Sequence, residues 1–174
     1  MQQTAITLKF ALVISILPLP TAAFAKPADA SCASLQELIA FVSAETDYAE
    51  LAVCPRIVSV DSGLLLSSMS FSDPENQNEP LAVYLPIENT IRVSTEVDLN
   101  SPMGRSFLVH ELVHALQFQS GAASSTPCIG AIEEEAYRLQ AGYLEREGHP
   151  QAAWTYRLNA LLMASCAQAY HPDF

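Results

Sequence analysis

The chain has 174 residues, of which 50% are hydrophobic and 16% charged. That is one domain's worth of sequence with enough apolar material for a core, and it excludes a collagen-like repeat, a coiled coil and a disordered tail. Asp and Glu number 19 against 8 Lys and Arg, for a formal net charge of −11, which argues against a nucleic-acid partner and against docking on an anionic membrane surface.

Residues 1–25 read as a secretory signal peptide. Lys9 precedes an apolar stretch from Phe10 to Leu19, Pro18 and Pro20 break it, and Ala23-Phe24-Ala25 is a small-x-small cleavage site. The stretch is too short, and too rich in proline, for a membrane-spanning helix. Asp29 occupies the position where a lipoprotein signal needs an aliphatic residue before Cys32. The expectation is a secreted or periplasmic protein with no membrane anchor after cleavage, a leader over 26–31, and a single monomeric domain over 32–174. All four cysteines, Cys32, Cys54, Cys128 and Cys166, lie after the cleavage site. An even number in an exported chain reads as two disulfides. Three pairings are possible. Cys32–Cys54 with Cys128–Cys166 is favoured, because each bridge would staple one end of the domain. A zinc knot fails on spacing, since no two cysteines lie two to four residues apart.

The first predicted helix covers about 35–50. Ser34 and Glu37 form a capping-box pattern, and Leu35, Leu38, Ile39 and Val42 recur at helical spacing. Arg56 to Val60 reads as a strand. Leu64 to Met69 could be a helical turn or a strand. Residues 72–80 form a polar loop rich in turn formers. Leu81 to Leu85 and Thr90 to Ser94 read as a hairpin, with Pro80 and Pro86 bracketing the first strand and suggesting an edge position. Ser101-Pro102 then starts a helix that ends at Gly121. Phe107, Leu108, Val109, Leu112, Val113 and Leu116 surround that helix with apolar side chains, so it should be buried. A helix over about 129–147 stops at Gly148, and a last one runs from Pro150 to about Ala167. One helix, a small mostly antiparallel sheet, then three helices make an α+β domain.

The chemistry sits on the buried helix. His110-Glu111-Leu112-Val113-His114 has the form His-Glu-x-x-His. At 100° per residue the two imidazoles lie about 40° apart, so both can hold one Zn²⁺. Glu111, about 100° from His110, can reach a water held there and act as general base. Three ionisable groups on an otherwise apolar helix are costly unless they pair or bind metal. A metzincin would continue with Gly at 117 and His at 120; the chain has Gln117 and Ser120. The third ligand is sought on the next helix. With Ile132 at 0°, Ala136, Leu139 and Tyr143 fall at about 40°, −20° and 20° and define an inward face. Glu135 falls at about −60°, on its margin, while Glu133 and Glu134 fall at about 100° and 200°. Glu135 is therefore the expected third ligand, with Glu133 and Glu134 as a solvated acidic helix start.

His-Glu-Leu-Val-His followed by Glu133-Glu134-Glu135-Ala136 resembles the gluzincins, the clan of the thermolysin-like and CAAX-prenyl endopeptidases, whose ligand helix can carry a Glu-x-Glu-Ala element. The short chain is similar to the minigluzincins and to small exported bacterial proteins of this type. The resemblance covers residues 101–148. It implies a zincin-like fold, one zinc ion per chain bound by His110, His114 and Glu135, and hydrolysis of a peptide or protein substrate with Glu111 as base. It also suggests that an extended substrate lies along the edge strand. The chain departs from the thermolysin-like pattern at Leu139, where an Asp would orient a ligand, so the partners of the histidines stay unassigned. An electrophile should steady the developing oxyanion. Tyr137, Arg138, Tyr143, His149, Tyr156 and His171 are available. Tyr143 shares the inward face and is taken as the catalytic candidate. Trp154 is expected in the core. A catalytically silent zinc-binding or protein-binding module of the same fold is the alternative.

Overall fold

The computed structural model describes residues 30–48, 51–68 and 80–166. The expected signal peptide, most of the leader, most of the polar loop and His171 lie outside these residues. In chain order the elements are α1 (Ala30–Ala33), α2 (Gln36–Ala44), β1 (Arg56–Val60), α3 (Ser62–Ser68), β2 (Ala82–Leu85), β3 (Thr90–Ser94), α4 (Pro102–Gln119), α5 (Ala122–Ser125), α6 (Ile129–Arg146) and α7 (Pro150–Ala164). The fold is α+β and mostly helical.

The ambiguous stretch after β1 is helical. The first predicted helix is α2, shorter than expected, with Leu35 at its N-cap and no side-chain cap. Glu37 instead pairs with Arg105 of α4, at 2.5 Å. The sheet order is β1-β3-β2. β2 and β3 form the expected antiparallel hairpin, with Ala82 opposite Val93 and Tyr84 opposite Ile91. β1 lies parallel to β3, Arg56 opposite Thr90 and Val60 opposite Ser94. The sheet is therefore mixed, where a mostly antiparallel one was expected. The chain leaves β1 through α3 and enters β2 on the far edge, so the hairpin returns β3 in β1's direction.

Among the described residues, β2 is an edge strand. The N–H of Ser94 donates to the carbonyl of Leu81. Antiparallel pairs alternate between hydrogen-bonded and non-bonded. Val83 and Leu85 thus turn their main-chain groups toward β3, and Ala82 and Tyr84 turn theirs to the free edge.

α4 is the central helix. The Ser101 side chain caps it by accepting from the Gly104 N–H at 3.0 Å. Leu108, Val109, Leu112, Val113, Ala115 and Leu116 are all buried, as an all-round apolar helix requires. Only glycine fits at 104, because a Cβ there would stand 2.0 Å from the Asp98 carbonyl oxygen. α4 packs on α2, β2 and α6, and α6 packs on α7 along its length. At Gly130 the two last helices come so close that a Cβ would meet the Met163 carbonyl oxygen at 2.4 Å.

Cys32 is joined to Cys54, and Cys128 to Cys166, the favoured pairing. The second bridge clamps the start of α6 to the end of α7. Two disulfides fit an oxidising compartment. No helix among the described residues is long and apolar enough to cross a membrane. Trp154, expected in the core, is 67% exposed on α7, because α7 turns Ala153 and Ala160 toward the rest of the protein.

Candidate metal centre

His110 and His114 lie one turn apart on α4, 8% and 9% exposed. Their Nε2 atoms are 3.1 Å apart, and the rings meet edge to face with centroids at 4.8 Å. The carboxylate that completes the cluster is Glu133. Its Oε2 stands 3.2 Å from His110 Nε2 and its Oε1 3.3 Å from His114 Nε2. Among the described residues, His110, His114 and Glu133 form the group that could hold a metal ion.

Glu135 is not in that cluster. Its Oε2 accepts from Tyr48 Oη at 2.5 Å and from Gln117 Nε2 at 2.9 Å. The reason lies in how α6 is buried. The inward face drawn through Ala136, Leu139 and Tyr143 is one flank only, the one packed on the main core. Ala141 and Leu144 form a second buried flank with Ala153 of α7. The true centre lies between the flanks, at about 80–100° from Ile132, where Glu133 and buried Gln140 sit. The same rotation moves the tyrosines. Tyr143 is buried away from the cluster: its hydroxyl accepts from Arg105 Nε at 3.0 Å, and its ring meets Phe41 edge-on with centroids at 5.6 Å. Tyr137, one turn after Glu133, packs on His110 with ring centroids at 4.6 Å and stacks on Tyr156 at 6.1 Å. Arg138 lies outward, 3.7 Å from Glu135, and His149 is an exposed residue at the N-cap of α7.

Glu111 is 6% exposed, and its Oε2 accepts from the Tyr84 main-chain N–H at 2.7 Å. The candidate base is thus tied to the free edge of β2. Burial pushes its pKa up, against the charges of His110 and His114. His114 behaves oppositely. Burial opposes its charge, but the charge and hydrogen bond of Glu133, backed by Glu111, push its pKa up to about 9. Burial would raise Glu133 too; the His114 charge and hydrogen bonds from both imidazoles hold its carboxyl well below the usual carboxylate range. Burial, then the charges of Glu133 and Glu111, push Tyr137 up to about 12, so its hydroxyl stays a donor at neutral pH.

His114 Nδ1 faces Gln117 Oε1 at 2.9 Å. Gln117 Nε2 donates to the Ile132 carbonyl at 3.1 Å as well as to Glu135. Gln117 had counted in the sequence only as the absence of a metzincin glycine; its one signal was a polar side chain three residues after His114 on a buried helix. Among the described residues, His110 Nδ1 is buried without a hydrogen-bond partner.

The donor set fits zinc. Two ligands on a tetrahedral ion with bonds of about 2.0 Å stand about 3.3 Å apart; the two imidazole nitrogens are 3.1 Å apart, and each has one oxygen of the Glu133 carboxylate, Oε2 at 3.2 Å or Oε1 at 3.3 Å. Two imidazoles and one carboxylate are also the donors of catalytic zinc sites that keep a fourth position open.

No curated protein and no solved structure matches the chain. Residues 27–173 match the family model described as "Domain of unknown function (DUF6647)", and the chain belongs to that family.

Proposed function

We propose that the protein is an exported zinc-dependent peptidase of gluzincin type, holding one zinc ion with His110, His114 and Glu133. The observation that carries this reading is the convergence of those three side chains beside a buried Glu111 that is anchored to a sheet edge. A bound zinc ion supplies a Lewis acid for the scissile carbonyl and an acidified water.

The chain's own groups do the rest. Glu111 takes the proton of the attacking water and returns it to the leaving amine. Burial raises its pKa, which strengthens it as a proton acceptor. The Tyr84 N–H fixes which way the carboxylate points. Tyr137, with its proton retained, donates a hydrogen bond to the developing oxyanion. The free edge of β2 offers main-chain groups to an extended peptide, giving affinity that depends little on sequence. Export is supported by the two disulfides and by the signal-peptide pattern of residues 1–25.

The test is turnover of a broad peptide library by the zinc-loaded protein beside Glu111→Gln. Turnover lost in the variant at unchanged zinc content supports a peptidase. Stoichiometric zinc with no hydrolysis by the wild type would leave the site a binding module.

A further inference from the structure

We infer that Gln117, Glu135 and Tyr48 form a positioning relay that holds a proton on His114 Nδ1 and so leaves its Nε2 to face the cluster. The proposal concerns how the site is built, and only its affinity arm rests on the metal reading above.

The direction of each hydrogen bond follows from what the groups can do. The Ile132 carbonyl can only accept, so the Gln117 atom 3.1 Å from it is the NH₂. The same NH₂ reaches Glu135 Oε2 at 2.9 Å. With the amide nitrogen committed to two acceptors, Gln117 turns its oxygen to His114 Nδ1, 2.9 Å away. An oxygen there accepts, so Nδ1 must carry the proton. Nε2 is then the nitrogen left to face Glu133 and His110. Glu135 is itself held by the Tyr48 hydroxyl at 2.5 Å. The relay thus links α4, α6 and the segment after α2. Gln117 is 2% exposed, so water does not replace its hydrogen bonds at little cost. The two histidines are oriented by different means. His114 has this relay, whereas His110, with no partner on Nδ1 among the described residues, has the ring of Tyr137 against it.

This gives Glu135 and Gln117 a stated role. Partners that orient a metal-binding histidine typically cost 10- to 100-fold in metal affinity when removed. Gln117→Met keeps the shape and removes both the acceptor and the donor.

The experiment has two arms, each with thermal unfolding to confirm the fold. In the first, metal-free protein with ¹⁵N-labelled histidine is examined by NMR. The His114 Nδ1–H proton should exchange slowly in the wild type and be lost to rapid exchange in Gln117→Met. In the second, zinc alone is titrated against a competing chelator. Gln117→Met should bind about 10- to 100-fold more weakly. A wild type whose His114 proton exchanges as freely as that of an exposed histidine overturns the relay without any variant. So does Gln117→Met with undiminished zinc affinity. A protected proton in a wild type that takes up no zinc would sustain the relay and sink the metal reading.

Discussion

The main-chain N–H of Tyr84 donates to Glu111 Oε2 across 2.7 Å, so the free edge of the sheet and the proposed base are one connected unit. The edge strand also faces α4 and cannot drift from it without pulling this hydrogen bond apart. Glu111→Gln keeps an oxygen for the Tyr84 N–H but cannot take a proton. It should retain zinc and lose peptide turnover by about 10²- to 10⁴-fold, the usual range for a general base. Zinc content and turnover measured on the same preparation check this; full turnover in the variant would remove Glu111 from the mechanism.

The alternation along β2 separates two proline substitutions. Val83 turns its N–H to β3, so Val83→Pro breaks the ladder and should lower the melting temperature markedly. Ala82 turns its N–H to the free edge. Ala82→Pro should fold, keep zinc, and raise the Michaelis constant for peptides. Peptide kinetics of a folded, zinc-loaded Ala82→Pro protein that match the wild type would mean that substrate does not use this edge.

Tyr137 and Tyr143 should part under the same change. Tyr137→Phe keeps the ring against His110 and removes only the hydroxyl, so zinc affinity should hold while turnover falls by about tenfold or more. Tyr143→Phe loses the hydrogen bond from Arg105. It should cost about 1 kcal/mol of stability and leave turnover near normal. The reverse pattern, read by kinetics and thermal unfolding, would restore Tyr143 to the site.

Without metal, the cluster should make stability depend on pH. The pKa of His114 is raised, so its contribution is complete below about 6.5 and is lost as pH rises through about 9. Buried Glu111, also raised, acts in the same sense. The pKa of Glu133 is lowered, so its contribution is complete above the ordinary carboxylate value and is lost as pH falls. The metal-free protein should therefore melt highest at about pH 5 to 6 and lower at about pH 9. Zinc replaces the proton on the imidazoles, so its stabilisation should be larger at the alkaline end. Melting curves at the two pH values, with chelator and with zinc, read this directly. A metal-free protein more stable at pH 9 would contradict the coupling of His114 to Glu133.

Local signals carried much of the fold. The Ser101 cap, the apolar wrap of α4, the prolines around β2 and the even cysteine count each act within a few residues, and each has its counterpart in the structure. The two α4 histidines were legible for the same reason, since the i, i+4 spacing alone brings them together. What failed depended on contacts between distant segments. The facing of α6 is set jointly by α4 and α7, and no period in α6 itself reveals that it is buried on two flanks. That single rotation places Glu133, not Glu135, beside the two histidines and Tyr137, not Tyr143, against His110. Trp154 misled in the opposite way, because its size argued for burial while the small residues of α7 took the contact. The parallel pairing of β1 also depends on where a connection crosses, which residue type does not encode.

The central claim is that His110, His114 and Glu133 hold the metal, and zinc titration of three glutamate variants tests it most directly. Glu133→Ala should lose stoichiometric zinc, because it removes the carboxylate 3.2 Å and 3.3 Å from the two imidazole nitrogens. Glu134→Ala should bind one zinc per chain as the wild type does. Glu135→Ala should still bind one zinc, more weakly, through the loosened Gln117. If Glu133→Ala binds one zinc as tightly as the wild type while Glu135→Ala binds none, the assignment of the third ligand is wrong.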